Sequence, residues 1–576
     1  MEDKNKINLF INGQKIEAEK GKTILEIAKE NNIFIPTLCY HSDLKNKASC
    51  RMCLVEIAGR KGLFTSCSTK AESGMEILTD SPDILRARRI NLELIFAQHR
   101  EECNDCVTNH DCRLLELAKR FGVNISRLPD RKTGYPVYQF GPSLIFDSSK
   151  CIDCGNCVEV CHKQGISFLE KRQKDTFYQV KPCLDEKKDC IYCGQCIIHC
   201  PVGAFEAVGE FENVEDPLKN KDKKVIFQFA PAIRTSIGEE FGMESGENML
   251  GQMTAAIRKL GAYKVFDTSV AADVTTIEEA RELVDRIKNK GTLPMFTSCC
   301  PAWVKYLEFY RSDYLPNLTT VRSPHIILGG LIKTYFAEKE GIDIKDILVV
   351  SVMPCVSKKY EITREELLVD GIKPVDYVLT TRELARLFIN HKIDLKEIEP
   401  EEMDSPLGLA TGAGVIYGAS GGVMESALRT AYKEITGEEL ENIDFKSVRG
   451  MEGTKKAEVE IDGQKVKVAV VNGIANAQKI LRELGENPHL YDYVEVMACP
   501  GGCIGGGGQP MPTDKEIRKK RAEGLYSIDK EKKIRLAHQS PIVAELYKDF
   551  LNDDKNVHRI CHTKYFKKKR EVEIKE

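Results

Sequence analysis

The fold of the middle of this chain is decided by two stretches, CIDCGNCVEVCHK (151–163) and CIYCGQCIIHCP (190–201). Both carry cysteine with the spacing C-x2-C-x2-C-x3-C, and they lie about 40 residues apart as an internal repeat. The whole chain has 576 residues and 22 cysteines. In a chain without a secretion signal, clustered cysteines indicate metal binding and not a disulfide framework, because reducing compartments keep thiols free.

The spacing of this repeat is that of the bacterial two-cluster ferredoxins, in which the fourth cysteine of each run binds the other run's cluster. It predicts a ferredoxin-like domain over 141–209 that holds two [4Fe–4S] clusters. The ligands are expected to be Cys151, Cys154, Cys157 and Cys200 for one cluster, and Cys190, Cys193, Cys196 and Cys161 for the other. The first run ends in His162 where the pattern has proline, a minor departure. Zinc and disulfides account for this spacing less well.

A second group of cysteines lies in residues 1–80, for which we predict a separate domain. The stretch 7–32 has the pattern strand, turn, strand, helix, which agrees with the β-grasp fold of plant-type ferredoxins. The thiols expected to bind a [2Fe–2S] cluster are Cys39, Cys50, Cys53 and Cys67. The first two are further apart than in the plant-type pattern. A structural zinc site is the alternative, although zinc ligands usually come as two close pairs.

A third group follows a predicted helix over 83–100, inside a segment expected to span 81–140. It consists of His99, Cys103, Cys106 and Cys112. If the helix continues, the first three of these lie on one of its faces. One histidine with three cysteines also suits zinc, so zinc stays an alternative here. The segment resembles the His/Cys3-ligated [4Fe–4S] segment of complex I-type subunits, and its place between two iron–sulfur modules favours a cluster.

The remainder of the chain, from 225 to 576, alternates short β-rich runs with helical patterns. Buried strands are predicted at 225–233, 347–354, 466–474 and 493–499. This alternation predicts an α/β domain with a largely parallel sheet. The charged segment EFENVEDPLKNKDKK (210–224) is predicted to be a linker. The expected fold class is therefore multidomain, with α+β iron–sulfur domains followed by an α/β domain.

The composition is that of an ordinary globular protein. The chain is 42% hydrophobic and 30% charged, and its net charge is −3. A balance so close to neutral gives no reason to expect binding to nucleic acid or to an anionic membrane. The N-terminus lacks the pattern of a signal peptide, and no apolar run is long enough to span a bilayer. We therefore expect a cytoplasmic protein.

Five further cysteines fall in three separate segments, TSCCPAW (297–303), MPCVSKK (353–359) and MACPGGCIGGGGQP (497–510). The segments follow predicted strands or loops, and the ends of strands are where ligand sites form in α/β domains. The glycines of 501–508 carry no Cβ, so they would let the backbone approach a bulky cofactor. The residues alone thus predict four thiolates for one [4Fe–4S] cluster and leave one cysteine over.

These three segments resemble, in order and nearly letter for letter, the signature motifs of the iron-only ([FeFe]) hydrogenases. The resemblance implies an H-cluster, which is a [4Fe–4S] cubane joined to a diiron subcluster with CO, CN⁻ and a bridging dithiolate with a central amine. The implied cubane ligands are Cys300, Cys355, Cys499 and Cys503, of which Cys503 also bridges to the diiron unit. The resemblance further implies that Lys358 donates a hydrogen bond to a cyanide. The residues implied to pack against the diiron unit are Ala230, Pro231, Met353 and Met497.

The same resemblance implies a route for protons. Its members are Cys299 next to the bridging amine and then Glu279, Thr319, Glu282 and Arg286. Periodicity alone predicts something different, because Glu279, Glu282 and Arg286 share one face of a helix over 276–289 that would be solvated. A cysteine beside a ligand is likewise, on residue type alone, a small buried hydrophobe.

Three positions depart from the family pattern near the implied site. Thr319 stands where many relatives have serine, and it keeps the hydroxyl while adding a methyl group. His325 stands where many have glutamine, and Ala232 where many have serine. The resemblance places both near the diiron site, and we expect them to tune hydrogen bonding there without abolishing turnover. Cys183 and Cys561 receive no predicted role.

The predicted function is the reversible reaction H2 ⇌ 2H⁺ + 2e⁻, as in a ferredoxin hydrogenase. Electrons would pass through one [2Fe–2S] and three accessory [4Fe–4S] clusters to or from ferredoxin or a similar small carrier. The alternative is a catalytic subunit of an electron-bifurcating, NAD(P)-linked complex with flavin- and NAD(P)-binding partner subunits. A more remote alternative is a non-catalytic iron–sulfur assembly protein or an H2 sensor. The family also implies hydrogenase maturation factors and an anaerobic host.

Overall fold

The structure is a computed structural model that describes residues 5–100, 103, 112–132, 134–174, 177–440, 442–461 and 463–572. Cys106, one of the predicted cluster ligands, lies outside the described residues. The described chain runs from a small sheet domain through two helices and a two-repeat unit into an α/β unit. Its C-terminal segment returns to contact the sheet domain and the repeat unit.

The N-terminal domain is a five-stranded mixed sheet with one helix. Its elements are β1 (Lys6–Ile11), β2 (Gln14–Glu19), α1 (Ile24–Glu30), β3 (Leu54–Ile57), β4 (Phe64–Thr65) and β5 (Glu76–Leu78). The strand order is β2-β1-β5-β3-β4, and β1 pairs with β5 in parallel. The helix begins with a capping box between Thr23 and Glu26, which satisfies the backbone donors of its first turn. The predicted ferredoxin-like β-grasp fold is confirmed.

Two helices connect this domain to the cysteine repeat. They are α2 (Pro82–Phe96) and α3 (Arg113–Phe121). The hydroxyl of Ser81 caps α2 by accepting a hydrogen bond from the backbone N–H of Ile84. Because α2 ends at Phe96, the expectation that it continues through His99 was wrong, and a turn carries the chain there.

The repeat unit builds each half around the same turn. Its elements are β6 (Val137–Phe140), β7 (Leu144–Asp147), α4 (Asn156–Lys163), β8 (Leu169–Lys174), β9 (Phe177–Pro182), α5 (Gln195–Ile198) and β10 (Phe205–Ala207). Gly155 and Gly194 follow the second cysteine of each run and have φ of 77° and 70°. This left-handed conformation suits glycine and lets each helix begin directly after the turn. The predicted dicluster fold is therefore present with its two halves alike.

The segment predicted to be a linker is instead packed structure. It contains α6 (Phe211–Asn220), whose Val214 and Leu218 are buried in the core of the α/β unit. Glu210, just before the helix, accepts a hydrogen bond from the backbone N–H of Val378 at 3.0 Å. The charged composition of 210–224 misled the prediction, because the charges lie on the outer side of an amphipathic helix.

The α/β unit contains two four-stranded sheets. The strands are β11 (Lys224–Phe229), β12 (Lys264–Asp267), β13 (Met295–Phe296), β14 (Ile347–Met353), β15 (Tyr377–Thr380), β16 (Thr454–Ile461), β17 (Gln464–Asn472) and β18 (Tyr493–Met497). The first sheet has the order β12-β11-β14-β15 and is wholly parallel. The second has the order β13-β18-β17-β16, in which the β16–β17 hairpin alone is antiparallel. The predicted, largely parallel α/β domain is confirmed.

The helices of this unit cover both sheets. They are α7 (Leu250–Lys259), α8 (Thr268–Lys288), α9 (Pro301–Tyr310), α10 (Pro324–Leu331), α11 (Ala337–Glu340), α12 (Ser357–Glu361), α13 (Thr381–Asn390), α14 (Gly412–Val415), α15 (Gly422–Thr436), α16 (Ile474–Glu486), α17 (Lys515–Glu531), α18 (Pro541–Asp549) and α19 (Asp554–Cys561). The longest, α8, packs against α10, α14 and α15 and is buried along most of its length.

The C-terminal segment ties the units together. Val321 and His562 form an isolated antiparallel bridge that holds the end of α19 against the α/β unit. Arg518 of α17 reaches the N-terminal domain and pairs with Asp43 at 2.7 Å. The backbone N–H of Glu571 donates to Asp189 of the repeat unit at 3.1 Å. This segment therefore contacts the N-terminal domain, the repeat unit and the α/β unit.

Candidate active site

The eight cysteines of the repeat are close neighbours. Burial raises the pKa of Cys157, and the neighbouring charges of Cys151, Cys154 and Cys200 raise it further. Burial likewise raises the pKa of Cys196, together with the charges of Cys193, Cys190 and Cys161. The fourth cysteine of each run is thus a neighbour of the other run, and the exact ligand sets stay a prediction.

The second of these groups lines a common cavity. Its walls include Cys161, Cys190, Cys193 and Cys196, and apolar side chains such as Phe168 complete them. The backbone N–H of Phe168 points at Cys161 Sγ at 3.2 Å, and that of Tyr192 points at Cys190 Sγ at 3.4 Å. Four thiols around one space, with N–H groups aimed at the sulfurs, fit an iron–sulfur cluster.

The N-terminal cysteines form another buried group. Cys39, Cys50, Cys53 and Cys67 are all buried. The Sγ atoms of Cys53 and Cys67 lie 3.3 Å apart, and the backbone N–H of Cys50 donates to Cys39 Sγ at 3.4 Å. Cys39, Cys50 and Cys53 precede β3 and Cys67 follows β4, so the pairing of these two strands brings Cys67 next to Cys53.

The third predicted group is described only in part. His99 is buried, and its Nδ1 lies 2.7 Å from the carbonyl oxygen of Lys150. Burial lowers the pKa of His99, which favours the neutral ring, and a donating Nδ1–H leaves Nε2 available as a metal ligand. Cys112 caps α3, and Cys103 is half-buried. The predicted ligand Cys106 lies outside the described residues, so the grouping stays a prediction.

The three motif segments of the α/β unit converge on one place. Cys300 starts α9, Cys355 follows β14, and Cys499 and Cys503 follow β18. Burial raises the pKa of Cys499, and the charges of Cys355 and Cys300 raise it further. The backbone N–H of Ala498 donates to Cys300 Sγ at 3.4 Å. The ends of parallel strands thus bring four thiols together from segments separated by up to 200 residues, and they fit a cubane.

The glycines of the third motif lie close to protein backbone. A Cβ on Gly506 would lie 2.1 Å from the carbonyl oxygen of Pro354, and one on Gly507 would lie 2.6 Å from Cα of Gly194. A Cβ on Gly502, where φ is +92°, would lie 2.6 Å from the backbone nitrogen of Ser420. These glycines therefore permit close approach of protein backbone, and their approach to a cofactor stays a prediction.

A buried charged network lies next to the four thiols. Lys358 Nζ donates to the carbonyl oxygen of Cys299 at 3.0 Å and to Glu361 Oε2 at 2.6 Å. The same carboxylate oxygen lies 2.5 Å from His325 Nε2. Burial and the charge of Lys358 lower the pKa of His325 to about 4, so its ring is neutral. Burial opposes ionisation of Glu361, but Lys358 and His325 outweigh it and bring its pKa to about 2.

This network leaves one ammonium proton for another partner. An ammonium has three N–H donors, and the two contacts above use two of them within the described residues. His325 Nδ1 accepts from Ser351 Oγ at 3.1 Å, which fixes the ring. The third donor of Lys358 fits the predicted bond to a ligand of the diiron unit, and Glu361, which sequence reasoning missed, keeps the cation in place.

The other predicted packing residues surround the same place. Met497, at the end of β18, shares an apolar cluster with Tyr417, Cys299 and Cys300. Met353 ends β14, and Ala230, Pro231 and Ala232 follow β11; all are buried. Ala232 packs in a further cluster with Ile504. The neighbouring strands β11 and β14 thus end side by side.

Glu279 is buried, whereas periodicity predicted that it lies on a solvated face. Its side chain is fully buried in α8, and Tyr493 of β18 donates to Oε2 at 2.9 Å. Its other oxygen has no partner among the described residues. Burial raises the pKa of Glu279 to about 8, with a smaller contribution from the charge of Glu282. A carboxyl that titrates near neutrality can both accept and release a proton. Its charge also acts on Cys299, whose pKa is raised chiefly by burial.

Glu282, one turn further along α8, sits in a denser network. Thr319 Oγ1 donates to its Oε2 at 2.7 Å, and Arg286 pairs with its Oε1 at 2.5 Å. The backbone N–H and the hydroxyl of Thr320 also reach Oε2, both at 3.0 Å. The Glu282–Arg286 pair that periodicity predicts is therefore present, but it is mostly buried and shares its carboxylate with two threonines.

Sequence reasoning missed Tyr493, Tyr417 and Glu361. Tyr417 hydrogen-bonds Thr276 at 2.8 Å beside the apolar cluster that contains Cys299. The tyrosines lie 141 and 214 residues from their partners on α8, so no local pattern could reveal them. Glu361 lies three residues after Lys358 on α12, and that spacing was a readable signal. Cys183 and Cys561 are buried, the latter within the core.

The groups of cysteines form a line that leads to this site. Burial raises the pKa of Cys154 to about 12, as do the charges of Cys200 and of Cys39 in the N-terminal domain. Burial also raises the pKa of Cys193 to about 12, with contributions from Cys355 and Cys300. Cys499 Sγ lies 3.8 Å from the carbonyl oxygen of Cys193. The repeat unit is therefore adjacent to the N-terminal thiols on one side and to the α/β thiols on the other.

Comparison with family models agrees with this organisation. The model for the C-terminal domain of the iron only hydrogenase large subunit matches residues 223–507, and the iron hydrogenase small subunit model matches 515–568. Upstream, a 2Fe-2S iron-sulfur cluster binding domain matches 4–82, and a 4Fe-4S dicluster domain matches 150–204. The NADH-ubiquinone oxidoreductase-G iron-sulfur binding region matches 88–127. Within the described residues, no helix is long and apolar enough to cross a bilayer.

Relatives match over nearly the whole chain. The NADP-reducing hydrogenase subunit HndD of Solidesulfovibrio fructosivorans is 41% identical over 582 residues, covering 98% of this chain and 99% of that protein. Iron hydrogenase 1 of Clostridium pasteurianum is 40% identical, covering 97% of this chain and 100% of that protein. A solved structure of a variant of the [FeFe]-hydrogenase HydA1 from Chlamydomonas reinhardtii is 37% identical with a TM-score of 0.56, covering 62% of this chain and 98% of that one.

Proposed function

This chain belongs to the iron-only ([FeFe]) hydrogenases, and we propose that it uses the site described above for the reversible reaction H2 ⇌ 2H⁺ + 2e⁻. The observation that carries the proposal is the convergence of Cys300, Cys355, Cys499 and Cys503 beside Cys299 and Lys358. Four thiols alone would support electron transfer only. The adjacent thiol, ammonium and buried carboxyl supply the proton chemistry that hydrogen turnover needs.

The cofactor that this site would hold is an H-cluster, with its cubane on the four thiols and its diiron unit beside Lys358, Met353 and Met497. When bound, it supplies the iron site and the amine between which H2 is split or formed heterolytically. The chain's own residues do the rest. Lys358, held by Glu361, presents one N–H donor to the group, and the apolar side chains of Met497 and Pro231 exclude water from it.

Protons would pass between Cys299 and Glu279 and then on to Glu282. Glu279 suits this step because its pKa of about 8 leaves both protonation states populated near neutrality. Tyr493 holds one carboxylate oxygen, while the other has no partner among the described residues and is free to exchange a proton. Thr319 then supplies a hydroxyl at hydrogen-bond distance from Glu282.

Electrons would enter or leave through the line of cysteine groups. Iron–sulfur clusters are the cofactors of those groups, and we assign one [2Fe–2S] to the N-terminal thiols and two [4Fe–4S] to the repeat. A third [4Fe–4S] is assigned to His99, Cys103, Cys106 and Cys112. The adjacency of Cys39 with Cys154, and of Cys193 with Cys300, supports an order from the N-terminal domain through the repeat to the site.

A hydrogenase needs an external electron donor or acceptor. We propose ferredoxin or a similar small carrier, with hydrogenase maturation factors needed to load the H-cluster. A second candidate is a role as catalytic subunit of a complex with NAD(P)- and flavin-binding subunits. It is favoured by the full-length match to a relative named as a subunit of an NADP-reducing hydrogenase.

Infrared spectroscopy tests the main proposal. Protein matured with its assembly factors should show bands from iron-bound CO and CN⁻ and should evolve H2 from a reduced dye. Cys503→Ser should abolish both, because this thiol is proposed to join the cubane to the diiron unit, while absorbance of the accessory clusters remains. Absence of the bands from matured wild-type protein would overturn the hydrogenase assignment and favour an assembly or sensor role.

Purification from the native host tests the partner. A chain that works with ferredoxin should purify alone and turn over with reduced ferredoxin. Co-purification with a flavoprotein, together with NAD(P)H-dependent H2 production, would replace the ferredoxin assignment with the complex.

A further inference from the structure

The proton route described above needs an exit from Glu282, and Arg286 is poorly suited to be that exit. A guanidinium has five N–H donors and no acceptor, and it stays protonated at any ordinary pH. In this structure Arg286 spends its donors on Glu282 and on four backbone carbonyl oxygens, those of Thr292, Pro316, Asn317 and Leu318. It therefore fixes the position of the Glu282 carboxylate and has no lone pair that could receive a proton.

A different neighbour of Glu282 leads outward. The hydroxyl of Thr320 lies 3.0 Å from Glu282 Oε2 and 2.8 Å from His562 Nδ1. The other ring nitrogen, His562 Nε2, lies 3.3 Å from Glu278 Oε2. Hydroxyl and imidazole groups both donate and accept, so this is a continuous hydrogen-bonded chain of exchangeable groups. The His562 side chain is 17% exposed, whereas Glu279 at the inner end of the route is fully buried.

The backbone places His562 beside Thr320 with little freedom. Val321 and His562 form a β-bridge, and the backbone N–H of Thr563 donates to the carbonyl oxygen of Thr320 at 2.8 Å. Arg322 Nε donates to the carbonyl oxygen of His562 at 2.7 Å. The contact between the imidazole and the hydroxyl is therefore built into the pairing of two segments 240 residues apart.

We propose that Thr320 and His562 carry protons between Glu282 and solvent, and that Arg286 is a positioning residue for Glu282. During H2 oxidation, a protonated Glu282 gives its proton to Thr320 Oγ1 while Thr320 gives its hydroxyl proton to His562 Nδ1. His562 then releases a proton from Nε2 to Glu278 or to water, and no electrons move in these steps. During H2 production the same transfers run in reverse.

The groups that face His562 suit this role. Glu278 accepts hydrogen bonds from His562 and Tyr547 and pairs with Arg281 at 2.9 Å. Burial opposes ionisation of Glu278, but these partners outweigh it and lower its pKa, so a carboxylate stands beside the ring as a proton acceptor. The further charged or titratable groups packed around the ring are His558, at 6.0 Å between ring centroids, and Arg322. Neither lies between His562 and Glu282.

The test uses the full, matured chain, and it rests on the proposed hydrogenase function. His562→Gln keeps a side chain that can hydrogen-bond Thr320 but cannot be protonated, and His562→Ala opens space for added imidazole. We expect dye-linked H2 production to fall at least tenfold in both variants, and imidazole to restore part of the rate in the alanine variant. His558→Gln, a change on the same helix, should leave the rate unchanged.

Two readouts separate this proposal from its alternatives. Infrared bands of CO and CN⁻ should be unaltered in the His562 variants, which shows that the site is loaded and the chain folded. The pH profile of turnover should shift with His562→Gln, and Thr320→Val should lower the rate as His562→Gln does. If His562→Gln had the same rate, pH profile and solvent isotope effect as the wild-type protein, the proposal would be overturned. Missing infrared bands in wild-type protein would instead overturn the hydrogenase function.

Discussion

The repeat unit and the α/β unit both gather four cysteines around one point, but they do so by opposite means. In the repeat, three of the four thiols of each group come from one short turn, and a glycine with positive φ shapes it. In the α/β unit, the thiols come from the ends of strands separated by up to 200 residues, and their meeting depends on the whole sheet. The first kind of site is specified locally, and the second only by the complete fold.

Glu279→Gln should have the largest effect, because it should lower H2 turnover at the α/β site and leave the clusters of the repeat unchanged. Glutamine keeps the hydrogen bond from Tyr493 but cannot carry a proton, so H2 turnover should fall by about 10²-fold or more. The accessory clusters and the infrared bands should be unaffected. Activity within a few-fold of wild type would show that protons bypass this carboxyl.

The same substitution should change how the stability of the protein depends on pH. The pKa of Glu279 is raised from 4.5 to about 8, so the folded chain holds a proton that the unfolded chain releases. Stability should therefore decline as pH rises between about 4.5 and 8. In Glu279→Gln this contribution is absent, and the urea midpoint should fall less across that window. An identical pH dependence in both proteins would contradict the raised pKa.

Gly507→Ala should affect the contact between the two regions. Its Cβ would lie 2.6 Å from Cα of Gly194, so one backbone must move. The expected cost is roughly 1–3 kcal/mol, seen as a lower urea midpoint for loss of the visible absorbance of the clusters. Gly485→Ala is the matched control, because no atom lies within 4 Å of its Cβ and alanine favours the helix α16. Equal midpoints for the two variants would show that this approach is not tight.

Asp43→Asn should have the smallest effect of the three. Burial would raise the pKa of Asp43, but the hydrogen bond and charge of Arg518 outweigh it and keep the pKa below 3.8. The contribution of Asp43 to the free energy of unfolding is present above its pKa in the unfolded chain. It is lost as pH falls through its pKa in the folded chain. We expect a loss of about 1–2 kcal/mol near neutral pH. Salt at 1 M should screen an exposed pair such as Lys6 and Glu17. If 1 M salt also removed the stability difference between Asp43→Asn and wild type, the partial burial of the Asp43–Arg518 pair would add nothing.

The locally specified features could be read from the sequence, and the others could not. The C-x2-C spacing predicts the repeat and its swapped fourth ligands because both are properties of one turn. The β-grasp domain follows in the same way from adjacent strands. For the three motif segments, the residues alone predicted one cluster with one cysteine left over. The resemblance was needed to choose the ligands, because spacing cannot rank cysteines in segments that meet only through the strands of two sheets.

Errors arose where tertiary packing overrode a local pattern. Glu279 lies on the face of α8 that periodicity assigns to solvent, but its side chain is buried, and Tyr493 of β18 donates to one of its carboxylate oxygens. The charged run 210–224 suggested a linker, but Val214 and Leu218 form a narrow apolar stripe that docks.

The C-terminal segment has a consequence for biosynthesis. Translation proceeds from the N-terminus, so the iron–sulfur domains can fold while the rest of the chain is still being made. Arg518, His562 and Glu571, which contact the N-terminal domain, the α/β unit and the repeat, are synthesised after all of these partners. These three contacts can therefore form only after the domains that they join have been made. The direct contact between Gly507 and Gly194 does not depend on them, so the C-terminal segment reinforces an association that the α/β unit begins.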